Sequence, residues 1–158
     1  MAVPTTTPEP SRTLAPAARQ LWRLEGVGTA LLALLAATIL QTSVGGTIGL
    51  LGWVAAALAA VVAIVVVPEL RWRRWRWEVR EQEIDIRRGT VAVTRTLVPM
   101  LRVQHVDTRR DLLQQWLGLA TVVFHTAAGA NEIPALTVAE AGLVRDRIAE
   151  LARTADEL

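Results

Sequence analysis

The side chains best equipped for chemistry are two histidines, two aspartates beside an arginine pair, and a run in which arginine alternates with tryptophan. His105 and His125 are the only histidines. Two imidazoles could hold a metal or pass a proton. Metal sites of that kind need a carboxylate or thiolate at ligand spacing, and the chain has neither an H-E-x-x-H helix nor a cysteine. Both histidines are therefore expected in structural roles, bonded to backbone groups at strand positions. Asp107 and Asp111 flank Arg109-Arg110. Paired carboxylates can do acid–base work, but the adjacent arginines suit loop residues in local ion pairs, and Asp107 suits an Asx turn. A nucleophile, a base and oxyanion donors cannot be assembled together, and no glycine-rich phosphate loop is present. No catalytic, metal or cofactor residue is assigned, and no enzyme activity is expected.

Arg71, Trp72, Arg73, Arg74 and Arg76 form the remaining cluster, with Trp75 and Trp77 interleaved. Basic surfaces with aromatics can bind single-stranded nucleic acid. Position argues otherwise, because the cluster begins four residues after a long apolar run ending at Val67. Anionic lipid headgroups are the nearer partner. These five residues are expected to contact the membrane surface, and no nucleic-acid partner is expected. The plainer alternative is that they only set topology.

The apolar run that precedes them is the dominant element. Val27 to Val67 is 41 residues without Asp, Glu, Lys, Arg or His, interrupted by Gly45-Gly46. A bilayer core about 30 Å thick takes roughly 20 apolar helical residues. Two spans, about 27–44 and 48–67, are predicted as a transmembrane hairpin. A secretory signal is the competing reading of the first stretch, with Ala36-Ala37 near a cleavage site. That stretch is long for a signal, and a second span follows at once. Arg12, Arg19 and Arg23 precede the hairpin, Arg71, Arg73, Arg74 and Arg76 follow it, and its turn carries none. Positive flanks stay inside, so both termini are expected to be cytoplasmic at the cell membrane. Indole rings favour the headgroup zone. Trp22 and Trp72 are assigned there, and Trp75 and Trp77 to a soluble core. Gly26, Gly28 and the alanines at 56, 57, 59 and 60 are small enough for close helix packing. No ionisable residue lies within the spans, which argues for an anchor over a transport pathway.

All 17 basic residues are arginine. Residues 71–110 hold 11 Arg against 5 acids, and residues 111–158 hold 3 against 7. The basic half thus adjoins the membrane. Met1–Thr13, rich in Thr and Pro, cannot bury enough apolar surface to order itself. The predicted organisation is a disordered tail over 1–20, a hairpin over 21–70 and a cytoplasmic domain over 71–158.

Within that domain, Trp75–Arg80 and Glu83–Arg88 alternate as half-buried strands. Arg88-Gly89-Thr90 reads as a turn. Val91, Val93 and Leu97 mark a third strand ended by Pro99, and Leu101, Val103 and His105 a fourth. Leu112–Gly118 has helical spacing over a turn or two. Ala120–Thr126 and Glu132–Leu136 complete the strands. Thr137 and Glu140 fit a capping box, and Ala141, Val144, Ile148 and Leu151 recur at helical spacing, predicting an amphipathic helix over about 138–153.

Trp77-Glu78-Val79, Ile86-Arg87-Arg88-Gly89, Val98-Pro99, Arg102–Asp107 and Leu117–Thr121 running into His125-Thr126-Ala127 together resemble the YdbS-like family of bacterial membrane proteins with a pleckstrin-homology-like (PH-like) domain, a domain of unknown function. The resemblance covers about residues 20–155. It implies an α+β fold: a two-helix transmembrane hairpin, then a PH-like antiparallel β-barrel or sandwich with a C-terminal capping helix. It implies no enzymatic activity. Eukaryotic relatives that bind phosphoinositides use a basic loop between the first two strands. Here that connection is Glu81-Gln82, so inositol-phosphate binding is not carried over. The expected function is an interaction or scaffold module at the inner membrane face, with a protein partner or its own copies. The alternative is an anionic-headgroup-binding or sensing domain.

Overall fold

The computed structural model describes residues 8–90 and 92–156. Helix α1 spans Ala18–Ser43, and α2 spans Gly46–Val61. Gly45 and Gly46 turn the chain at φ 67° and 58°, the left-handed region that a glycine enters without a Cβ clash. Helix α2 runs through a π-helical segment, Val62–Val66, into α3, Val67–Arg74, which has Pro68 in its first turn. The helices Ala18–Ser43 and Gly46–Arg74 are each long and apolar enough to cross a membrane.

The contact between them is made by small residues. A Cβ on Gly26 would lie 2.4 Å from the Ala63 carbonyl, in the π-helical segment, and one on Gly49 would strike Gln41. Ala30, Ala37 and Ala56 are buried in the same seam, while Leu32, Leu50 and Leu58 point outward. Gly28, expected at the seam, faces open space.

The domain holds two three-stranded antiparallel sheets, ordered β1-β2-β3 and β4-β5-β6. The first comprises β1 (Arg76–Val79), β2 (Glu83–Arg88) and β3 (Thr94–Pro99). Its register pairs Trp77 with Ile86 and Ile84 with Val98, so the large apolar side chains share one face. A 3₁₀ turn, Met100–Arg102, leads into β4 (Val103–Arg109). Helix α4 (Leu112–Leu117) joins β4 to β5 (Leu119–Thr126), and β6 (Gly129–Thr137) follows. Helix α5 (Val138–Asp156) packs on the second sheet and on the 3₁₀ turn. It starts at the predicted cap, where Thr137 Oγ1 accepts the Glu140 N–H at 3.2 Å. Ala141, Val144 and Ile148 are buried, and Leu151 packs against the same core. The architecture is the expected PH-like sandwich with a C-terminal helix.

Three details depart from expectation. The third strand starts only at Thr94, and Val91, assigned to it, lies outside the described residues. The second sheet is longer than its apolar pattern, because β4 continues through polar residues to Arg109 and β6 starts at Gly129. Asp111 is the N-cap of α4, its Oδ1 accepting the Gln114 N–H at 2.7 Å, and Asp107 is a strand residue. Neither is the loop residue predicted. A cap oxygen satisfies an otherwise orphaned helix donor, which explains why α4 holds a defined helix at only six residues.

The largest correction is at the N-terminus. Residues 1–7 of the predicted tail lie outside the described residues, but from Pro8 onward the chain is docked. Arg12 and Trp77 exchange backbone hydrogen bonds at 3.1 and 3.0 Å, covering the outer edge of β1. Leu14, Ala15, Ala18, Leu21 and Trp22 join the same core as Trp77, Ile84 and Phe124. Trp72 Nε1 donates to the Leu14 and Ala15 carbonyls, and Trp77 Nε1 to that of Thr13. Arg80 and Arg95 both donate to the Pro8 carbonyl, at 2.6 and 3.0 Å. Composition alone makes this stretch unfavourable to order; an open strand edge and the indole N–H groups of Trp72 and Trp77 supply the partners that order it. The predicted domain boundary at 71 therefore divides one core.

Candidate functional site

Arginine and tryptophan at the foot of the hairpin are sorted by the end of α3, where the backbone leaves helical geometry at Trp75 and enters β1. The change of period sends successive side chains to different sides. Trp75 and Trp77 are buried, as predicted. Trp22, assigned to the headgroup zone, is also buried, and the Arg71 guanidinium stacks over its ring at 4.2 Å. Trp72 is half-buried under Arg19, whose guanidinium lies 4.5 Å from its ring centre. Cation–π stacking and the indole hydrogen bonds turn these residues into the joint between stem and domain. Arg76 donates to the Trp75 carbonyl at 2.7 Å. Arg73 and Arg74 are exposed. Arg73 pairs with Glu69 at 2.7 Å, one helical turn back, and Arg74 donates to the Thr90 carbonyl. Of the five residues predicted at the membrane surface, Arg73 and Arg74 have the exposure for it.

The basic half of the domain is similarly spent on internal pairing. Asp85 is fully buried on β2 and accepts from Arg95 at 3.1 and 2.7 Å, with Arg80 3.5 Å away. The Asp85 carboxylate raises the pKa of Arg95 above its ordinary value. A buried carboxylate needs this: removing one partner of such a pair leaves a desolvated charge.

The second cluster lies on the outer side of β4 and β5. Antiparallel pairing centred on α4 sets His105 opposite His125, with ring centres 6.1 Å apart. His105 Nε2 is 3.0 Å from Asp107 Oδ2, and His125 Nε2 is 4.0 Å from the same oxygen. Both imidazoles therefore face one carboxylate, in place of the backbone groups expected. The signal for this juxtaposition was the helical spacing of Leu112–Gly118, which makes the two flanking strands a pair. Arg88, Asp107, Arg109, His125, Asn131 and Glu132 are among the residues that line an open cleft of about 600 Å³. Arg109 is bonded to Glu132 at 3.2 Å, so the charges along the cleft alternate in sign. Among the described residues, no group of three or more His, Cys, Asp or Glu is placed to hold a metal ion.

A hairpin of two apolar helices joined to this sandwich matches a known family. The model described as "Bacterial PH domain" matches residues 25–152. The chain belongs to the bacterial PH domain family. It is also 38% identical to the "UPF0699 transmembrane protein YdbS" of Bacillus subtilis (strain 168), over 94% of this chain and 97% of that protein. No solved structure matches. The match begins at Glu25, so the family region includes the hairpin with the sandwich. The protein is a membrane protein with a PH-like domain, similar to YdbS along nearly its whole length.

Proposed function

We propose that this bacterial PH domain protein is a non-enzymatic interaction module, held at the inner membrane face with both termini cytoplasmic, whose sandwich recruits a protein partner or a second copy. The observation that carries this reading is the edge strand β4. Among the described residues it pairs with β5 alone, and Gln104, His105, Asp107, Thr108 and Arg109 are all exposed. An edge strand with unpaired backbone groups is a template for an added strand. The charged side chains along β4 discourage indiscriminate pairing and favour a partner of matching polarity. The first sheet supports the reading by contrast, since the N-terminal segment already covers its β1 edge.

Full-length chain purified from native membranes in mild detergent should carry a reproducible protein partner or a second copy. The triple variant His105→Ala, Asp107→Ala, Arg109→Ala should lose it while remaining folded. Recovery of the chain with lipid alone sinks the scaffold reading, and a C-terminal reporter fusion that signals from outside the cytoplasm sinks the inner-face placement. The exposure of Arg73 and Arg74 beside the span supports a second reading, contact with anionic headgroups. On that reading Arg73→Gln with Arg74→Gln reduces the anionic lipid that co-purifies, in a salt-sensitive way.

A further inference from the structure

Helix α4 presents to solvent the face that a water-soluble domain would bury. Its inner side faces the domain: Gln114 is buried and donates to Thr121 Oγ1 at 3.0 Å, and Leu117 packs on the core. Its outer side carries Leu112, Leu113 and Trp116, which are 83%, 40% and 77% exposed, with Gln115 exposed beside them. Three large apolar residues on six residues of helix form a contiguous patch, and such a patch marks an interaction surface.

The position of α4 says what covers it. The helix packs against α1. Its capping Asp111 lies within electrostatic reach of Glu25, two residues before the uncharged run begins at Val27. Helix α4 is thus level with the point where α1 enters the bilayer. Leu24 and Val27 of α1 are exposed at that level and continue the apolar surface from the span. Tryptophan is the side chain most at home in this zone, with its ring among the acyl carbons and its N–H at the headgroups. An amphipathic helix with Trp and Leu on one face lies in the interface plane.

We propose that α4 is an interfacial foot: Leu112, Leu113 and Trp116 insert into the headgroup–acyl boundary of the same bilayer that the hairpin crosses. The occupant of the patch is lipid. The foot gives the domain a third point of attachment beside α1 and α3, so the sandwich is held at a fixed tilt to the membrane and β4 is displayed in one direction. The proposal rests on the hairpin crossing the bilayer and is independent of the scaffold reading.

The chain has no cysteine, so single-cysteine labelling is clean. Full-length Leu112→Cys and Trp116→Cys carry a bimane fluorophore in vesicles of phosphatidylethanolamine and phosphatidylglycerol. Leu113→Cys is a second variant on the same face. Leu143→Cys on α5, at a similarly exposed site, is the aqueous control, and Leu32→Cys and Leu58→Cys report the spans. Nitroxide-bearing lipid should quench the α4 labels several-fold more than the Leu143 label, and iodide on both sides of the membrane should quench them several-fold less. Behaviour at 112, 113 and 116 equal to that at 143 overturns the proposal. Shielding of the α4 labels from both quenchers also overturns it, and assigns the patch to contact between copies. Failure of the lipid quencher at 32 and 58 removes the hairpin from the bilayer, and the foot with it, leaving the partner test above unaffected.

Discussion

The hairpin and the domain use the same apolar side chains in opposite positions. In the domain the large residues are inside: Trp77, Phe124, Ile84 and Ile148 are essentially inaccessible. In the hairpin the small residues are inside, and Leu32, Leu51 and Leu58 are more than half exposed. The difference follows from the surroundings. Water drives bulk inward, at about 25 cal/mol per Å² of apolar surface removed from it. Lipid offers no such drive, so membrane helices associate through close backbone approach and van der Waals contact, which glycine and alanine permit. The two regimes meet at Leu21, Trp22 and Trp72, where residues of the helical stem pack into the domain core. Removing bulk should therefore damage the domain, and adding bulk should damage the hairpin.

The largest expected effect comes from cutting between the two regions. A fragment Arg71–Leu158 keeps all six strands and α5 but loses Leu14, Ala15, Ala18, Leu21 and Trp22. It also uncovers the β1 edge and the indole N–H groups of Trp72 and Trp77. Losing a single large core side chain costs roughly 2–5 kcal/mol, and a domain of this size has about 5–15 kcal/mol in total. The fragment should show no cooperative thermal transition, whereas a chain beginning at Pro8 should melt cooperatively. A sharp, cooperative melt of the short fragment would mean that domain and stem are separate units after all.

That expectation shows what the sequence made legible. The strands in which apolar and polar residues alternate, β1 and β2, announce themselves by that pattern, and α5 by its cap and its helical spacing. The N-terminal segment has no such pattern. Its order comes from partners distant in sequence: the edge of β1, the Trp72 and Trp77 rings, and the guanidinium groups of Arg80 and Arg95. The length of β4 was hidden because most of its residues are exposed, which erases the alternation. Trp22 was misplaced because a tryptophan beside a span fits the headgroup zone by composition, and only the docked domain turns that position into interior. The His105–Asp107–His125 grouping needed the register of β4 against β5, which depended on seeing α4 as a connection between paired strands.

A smaller effect separates two neighbours on α5. Ile148 is fully buried, while Arg147 is exposed and pairs with Glu150 at 3.3 Å. Ile148→Asp puts a carboxylate on the buried face of α5 that also carries Ala141 and Val144, and removes an apolar contact, costing about 3–5 kcal/mol or more. The full-length variant should fall in thermal midpoint and in cellular abundance while its hairpin still inserts. Arg147→Ala removes one solvent-exposed ion pair and should stay within about 0.5 kcal/mol of the parent. Equal, mild losses at both positions would mean that α5 does not close the sandwich.

The smallest effect tests the hairpin, where the sign of the change is reversed. Gly26→Leu adds bulk at the seam: even the first carbon would meet the Ala63 carbonyl at 2.4 Å, against backbone that cannot rotate aside. Overpacking of this kind costs about 1–3 kcal/mol, and it should splay α1 from the π-helical segment without unfolding the sandwich. Gly28→Leu, two residues on, adds the same atoms into open space, where lipid receives them and helix propensity gains by up to about 1 kcal/mol. Cysteine cross-linking between Ala30→Cys and Ala56→Cys, both buried in the seam, reads the separation of the helices in native membranes. If those positions can be bridged in the parent, the bridge should be lost with Gly26→Leu and kept with Gly28→Leu. Retention in both would show that the seam yields to added bulk, and that the hairpin is held together by the domain to which it is joined instead of by its own small residues.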